Sequence, residues 1–204
     1  YTGQRYAEMP VFTSWELANE NHTIAYILEG RFEKWPLVFK QILTKRWNEW
    51  LKQKYKNNTA LVQAWGKLSA GENLDKENIS PAPTYGQKAD YPEQRAVDFI
   101  TCVQSLFINA SKKFEAAARS CAPKGVGINI APIVANTHAD LNMHAQFANA
   151  VCDFVSVGTY QTPFTVDKKK PFYPWRPMFS ERPYFYNLNF QTIKNKPFVV
   201  YHFF

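Results

Sequence analysis

Three features of this chain predict an α/β fold built on a parallel sheet. In the second half, short runs rich in β-branched and aromatic residues alternate with helical stretches, and strands separated by helices imply right-handed crossovers between parallel neighbours. Two long segments carry apolar residues at helical spacing and need a large surface to pack on. One strand run is apolar at nearly every position, as strands covered on both faces are. With 204 residues, 46% of them hydrophobic and 16% aromatic, the chain can bury one sizeable core, and a single domain over 1–204 is the default.

The first strand is expected near 10–16, where Val11-Phe12-Thr13-Ser14 runs into Trp15-Glu16-Leu17-Ala18-Asn19-Glu20. A strand that finishes on an adjacent Asn-Glu pair presents an amide and a carboxyl at its tip, and barrel enzymes carry their chemistry on strand tips. Alternation puts Glu16 and Glu20 on one face, and only the residue at the mouth can meet a substrate. Glu20 is therefore read as functional and Glu16 as structural, satisfied internally.

A long amphipathic helix follows over 35–55, with Trp35, Phe39, Ile42, Leu43, Trp47, Trp50, Leu51 and Tyr55 at helical spacing. Gly66 to Tyr91 shows no periodicity and reads as an ordered surface excursion. Pro92 then opens a second long helix whose stripe runs through Ala96, Phe99, Ile100, Val103, Phe107, Ala110, Phe114 and Ala117, and Pro123 and Gly125 end it. Strands are predicted at 126–134, 153–160 and 197–203, with a short helix over 139–151 and a long aromatic and proline-rich loop over 161–190 that holds Trp175, Phe179, Tyr184 and Tyr186. The four strands should run parallel and adjacent in chain order. They cannot close a (β/α)8 barrel, which takes eight strands and about 250 residues. The alternatives are an incomplete barrel and an open α/β sheet, and no Gly-rich phosphate loop supports a nucleotide-binding version of the latter.

The formal charge of +7 would favour polyanions, but the cations are scattered. The one tight run, Lys168-Lys169-Lys170, sits beside prolines and reads as a solvated loop, so nucleic acid is not an expected partner. Cys102, Cys121 and Cys152 are too few and too widely spaced for a disulfide framework, and no Cys-x-x-Cys pair suggests zinc. Neither a metal nor a cofactor is expected. Cys102 falls on the apolar face of the second helix and reads as a buried thiol, while Cys121 and Cys152 are left open as a pair. Asn-x-Ser/Thr sequons begin at Asn21, Asn57, Asn78 and Asn109 and favour an extracellular or secreted setting. No apolar stretch reaches membrane-spanning length.

The segment Pro10 to Glu20 resembles the fourth barrel strand of clan A retaining glycoside hydrolases, where Trp-Glu-Leu-x-Asn-Glu is typical of endo-mannanases and cellulases. Trp47-Asn48-Glu49-Trp50-Leu51-Lys52-Gln53-Lys54-Tyr55 and Ala60-Leu61-Val62-Gln63-Ala64-Trp65-Gly66 look like the segment that follows this strand in barrel β-galactosidases. Asp153 to Tyr160 is similar to their sixth strand, and Lys196-Pro197-Phe198-Val199-Val200 to the start of their seventh. The resemblance implies a (β/α)8 TIM barrel only partly represented here, with about three strands before Tyr1 and one after Phe204 supplied by further chain or by a partner chain.

Carried over residue by residue, the resemblance makes Glu20 the general acid/base and Asn19 the amide that holds the sugar 2-hydroxyl, with Tyr160 at the barrel mouth and Trp175 in an aromatic loop able to stack on sugars. It implies a carbohydrate substrate or ligand and cleavage of β-glycosidic bonds. The chain departs from the family at the nucleophile, where Tyr201 and His202 stand in place of the Thr-Glu or similar pair on the seventh strand. Retention needs two carboxyls about 5 to 5.5 Å apart, and an imidazole does not routinely replace one. Glu181, beside Arg182, is a distant substitute, and His138 and Asp140 follow the 126–134 strand. A glycosidase-like module that binds carbohydrate without cutting it is the competing expectation.

Overall fold

The computed structural model describes residues 3, 5, 9, 11, 13–18, 23–28, 30–82, 93–122, 125–129, 150–158, 196 and 198–201. They belong to two compact units, one of His22–Asn109 and one that joins Tyr1–Asn21 to Ala110–Phe204.

The His22–Asn109 unit is helical. A short helix α1 (Thr23–Leu28) and a 3-10 turn at Arg31–Lys34 lead to α2 (Leu37–Tyr55). Pro36 precedes the first turn, where its missing N–H is no loss. Lys56, with φ 70, ends the helix while its N–H still reaches Lys52 O. Asn57 then caps α3 (Asn58–Trp65) by accepting from Ala60 N at 2.9 Å, and Gly66 closes it with φ 79, a conformation that glycine adopts without steric cost.

Leu43, Trp47 and Leu51 form the buried row of α2. Phe39 and Ile42, expected on the same packed stripe, are exposed. A row spaced by four residues drifts about 40° per step at 3.6 residues per turn, so a stripe drawn across five turns includes residues that have rotated out of the contact. Trp47 is the centre of this core. Its ring stacks on Trp50 at 5.7 Å and on Trp65 at 6.1 Å, and meets Phe99 edge-on at 5.3 Å. Its Nε1 donates to Ser80 O at 3.1 Å.

Among the described residues after Gly66, 67–82 carry no helix or strand, as expected, yet they are tightly held. Asn48 donates to Ile79 O and accepts from Ile79 N, Asn58 accepts from Leu74 N, and Asn78 links Asn73 N to Gly71 O. Leu74, Ile79 and Ala82 are fully buried. Side-chain amides do here the pairing that strands or helices do elsewhere.

The helix predicted after Pro92 is α4 (Glu93–Cys121). Its stripe buries Phe99, Cys102 and Val103, whereas Phe114, expected on that stripe, is exposed. Burial pushes the Cys102 thiol up to about 12, as befits an inert core cysteine. All three cysteines are free, which settles the open pairing of Cys121 and Cys152.

In the other unit, β1 (Ser14–Glu16) pairs in parallel with β2 (Gly127–Asn129), Trp15 lying opposite Ile128. β3 (Val155–Gly158) pairs in parallel with β4 (Phe198–Tyr201), Gly158 lying opposite Tyr201. Both pairings match the chain-order expectation. The strands at 126 and 153 do not share a ladder among the described residues, but Asp153 N donates to Ile128 O at 2.9 Å and brings the start of β3 to the middle of β2. Most of the helix expected over 139–151 lies outside the described residues.

Candidate functional site

In a parallel pair both strands end on the same edge, so β1 and β2 finish together at Glu16 and Asn129, and β3 and β4 at Gly158 and Tyr201. Each candidate residue on a strand follows one of these ends in the sequence. Asn19 and Glu20 come just after β1, Tyr160 after β3 and His202 after β4. These residues and Trp175 lie outside the described residues, as do Glu181, His138 and Asp140. Glu16 is described, and it is exposed rather than sequestered. Alternation along a strand tells which residues share a face but not whether a further layer covers that face, and the expectation that Glu16 is held internally is corrected accordingly.

Below the strand ends the described residues form a brace. Asp153 Oδ2 accepts from Ile128 N at 2.8 Å, next to the reciprocal main-chain bond. Its carboxylate is also gripped by Arg119 Nη2 of α4, at 2.8 and 2.9 Å to the two oxygens. Arg119 reaches Glu115 through Nε at 2.8 Å as well. Partial burial works to raise the Asp153 pKa, but Arg119 and the Ile128 N–H outweigh it and hold the carboxyl below the usual range. Gly127 lies against the Phe154 ring, where a Cβ would come within 3.3 Å. Lys196 donates to Cys152 O, which ties the approach to β4 to the residue before Asp153.

The helical unit holds two buried polar clusters that periodicity did not reveal. The Asp98 side chain is 0% exposed. It accepts from Lys54 Nζ at 2.6 Å, Tyr55 Oη at 2.5 Å, Trp65 Nε1 at 2.9 Å and Gln94 Nε2 at 2.8 Å. Burial alone would raise its pKa, yet the four donors lower it. Glu72 pairs with Arg95 through two bonds of 2.7 and 2.8 Å and accepts from Ser69 N and Ser80 N. Despite its burial, its carboxyl is held down to about 2. Both carboxylates are fully committed to internal donors, so these clusters fix the framework rather than offer a base or nucleophile.

Among the described residues no group of three or more His, Cys, Asp or Glu side chains is placed to hold a metal ion. Nor is any helix among them long and apolar enough to cross a membrane.

No protein-family profile and no curated protein matches the chain. Among solved structures it is similar to the β-galactosidase from the psychrophilic Marinomonas ef1, with a TM-score of 0.54 and 19% identity over 76% of this chain. The chain spans 22% of the length of that protein. The likeness is one of fold alone: over the matched part, the chain folds like a portion of that protein.

Proposed function

We propose that the parallel strands belong to a (β/α)8 barrel of glycoside-hydrolase type that binds β-linked oligo- or polysaccharides at its strand ends. The observation that carries this reading is the Trp-Glu-Leu-Ala-Asn-Glu run itself. It begins on β1, a strand paired in parallel, within a chain whose fold is similar to part of a β-galactosidase. Glu20 is the general acid/base in this reading, Asn19 the contact to the sugar 2-hydroxyl, and Tyr160 and Trp175 the aromatic groups that meet the sugar. The chemistry is proton donation from Glu20 to the departing glycosidic oxygen as a second carboxylate bonds to the anomeric carbon, followed by attack of water at that carbon, its proton taken by the same Glu20, which releases the second carboxylate. The sequons fit a secreted glycoprotein.

Retention requires a second carboxylate about 5 to 5.5 Å from Glu20, and that group is the critical component. The nucleophile position of the resembling family holds His202, an observation that favours a second reading in which sugar is bound but not cut. Incubation with aryl β-galactosides and β-linked oligosaccharides, read by product release and by NMR of the first-formed anomer, separates the two. Hydrolysis with retention supports the enzyme. Oligosaccharide binding without turnover supports the module, and absence of both rejects the glycosidase-like function.

A further inference from the structure

We propose that Asp153 is a positioning residue that sets the axial offset between the β1–β2 pair and the β3–β4 pair. Three contacts converge on it. Its N–H bonds Ile128 O, its carboxylate takes the Ile128 N–H, and Arg119 Nη2 holds both oxygens of the same carboxylate. Ile128 is fully buried and is the central residue of β2, opposite Trp15 of β1. Asp153 stands just ahead of β3, whose register with β4 runs from Val155↔Phe198 to Gly158↔Tyr201. Among the described residues no other main-chain bond links the two strand pairs.

Parallel strands slide by changing hydrogen-bond partners, and a slip by one residue reverses which face a side chain takes. A carboxylate bonded at once to one strand's N–H and to a guanidinium from the neighbouring helix resists that slip from two directions. In the barrel reading, on which the functional consequence rests, Asn19 and Glu20 extend from one pair while Tyr160 and His202 extend from the other. Asp153 then governs the relative height of the two halves of the sugar site without touching the sugar.

The test uses nitroxide labels at Ser14→Cys on β1 and Ser156→Cys on β3, in a Cys121→Ser background that removes the exposed native thiol. The distance distribution by pulsed electron resonance should be narrow in this parent and should shift or broaden in Asp153→Ala. Asp153→Asn, whose amide oxygen still accepts from Ile128 N, should stay closer to the parent. If Asp153→Ala fails to fold, Arg119→Met should show the same broadening. An unchanged distribution in a folded Asp153→Ala, or in Arg119→Met where that variant replaces it, overturns the proposal. On an aryl β-galactoside, well below the melting temperature, Asp153→Ala should lose kcat by up to about a hundredfold with KM changed little, whereas a merely stabilising residue would leave kcat intact. A wild type without turnover would contradict the glycosidase reading and leave the label distances to decide the role of Asp153.

Discussion

Trp65 donates its indole N–H to Asp98 Oδ2 at 2.9 Å, joining the last turn of α3 to the first turns of α4 through a carboxylate with no exposed side-chain surface. The bond orients the same indole that stacks on Trp47 and meets Tyr55 edge-on. Aromatic packing in this unit is thus arranged around a polar centre.

Replacing Asp98 by Ala should destabilise the unit by about 1 to 3 kcal/mol for each buried donor left without an acceptor, beginning with Trp65 Nε1. Chemical denaturation of the variant measures it. Asp98→Asn should fall between the two, because the amide oxygen keeps one acceptor while the ammonium of Lys54 loses its counter-charge.

Acid should find the Glu72–Arg95 pair. The folded pKa of Glu72 is about 2 against an ordinary 4.5, so its contribution to stability is fully present above pH 4.5 and is lost as the pH falls toward 2. Asp98, also depressed, adds a loss of the same sign. In urea titrations across this range, Glu72→Gln should be less stable than wild type near neutrality and should show a shallower decline on acidification. Equal slopes would show that Glu72 is not the group that titrates.

Gly127→Ala should place a Cβ 3.3 and 3.4 Å from two Phe154 ring carbons and cost about 1 to 3 kcal/mol by overpacking. Phe154→Leu should relieve most of that cost. A double-mutant cycle on melting temperatures therefore predicts strong non-additivity, and simple additivity would place the strain elsewhere.

Much of this architecture was legible in the sequence because it is local. The spacing of Leu43, Trp47 and Leu51 announces α2, and Pro92 with the stripe through Phe99 and Val103 announces α4. The parallel pairings of β1 with β2 and of β3 with β4 follow from helices lying between strand-like runs. The polar clusters were not legible, since Lys54, Tyr55, Trp65, Gln94 and Asp98 meet across sequence separations of up to 44 residues. Periodicity assigns a residue to a face but does not name what that face meets, and for that reason Glu16, Phe39 and Ile42, each expected on an inward face, are exposed. α3 is not among the predicted helices: its Asn57 cap and terminating Gly66 are single-residue signals with no long apolar stripe beside them. Among the candidate residues, Asn19 and Glu20 stand out as an amide and a carboxyl after a strand-like run, while their roles, and the choice of Tyr160, Trp175 and His202, come from the resemblance, because no short-range pattern fixes a carboxylate's role without its partner.

Glu20 is the residue on which the functional account stands. The decisive measurement compares wild type with Glu20→Gln on two β-galactosides, one with a poor leaving group and one with a very acidic aryl leaving group. Wild type should cleave both, and the variant, still folded, should lose about a hundred to ten thousand fold on the poor leaving group and far less on the acidic one at the glycosylation step. Equal activity of wild type and variant on the poor leaving group would contradict it.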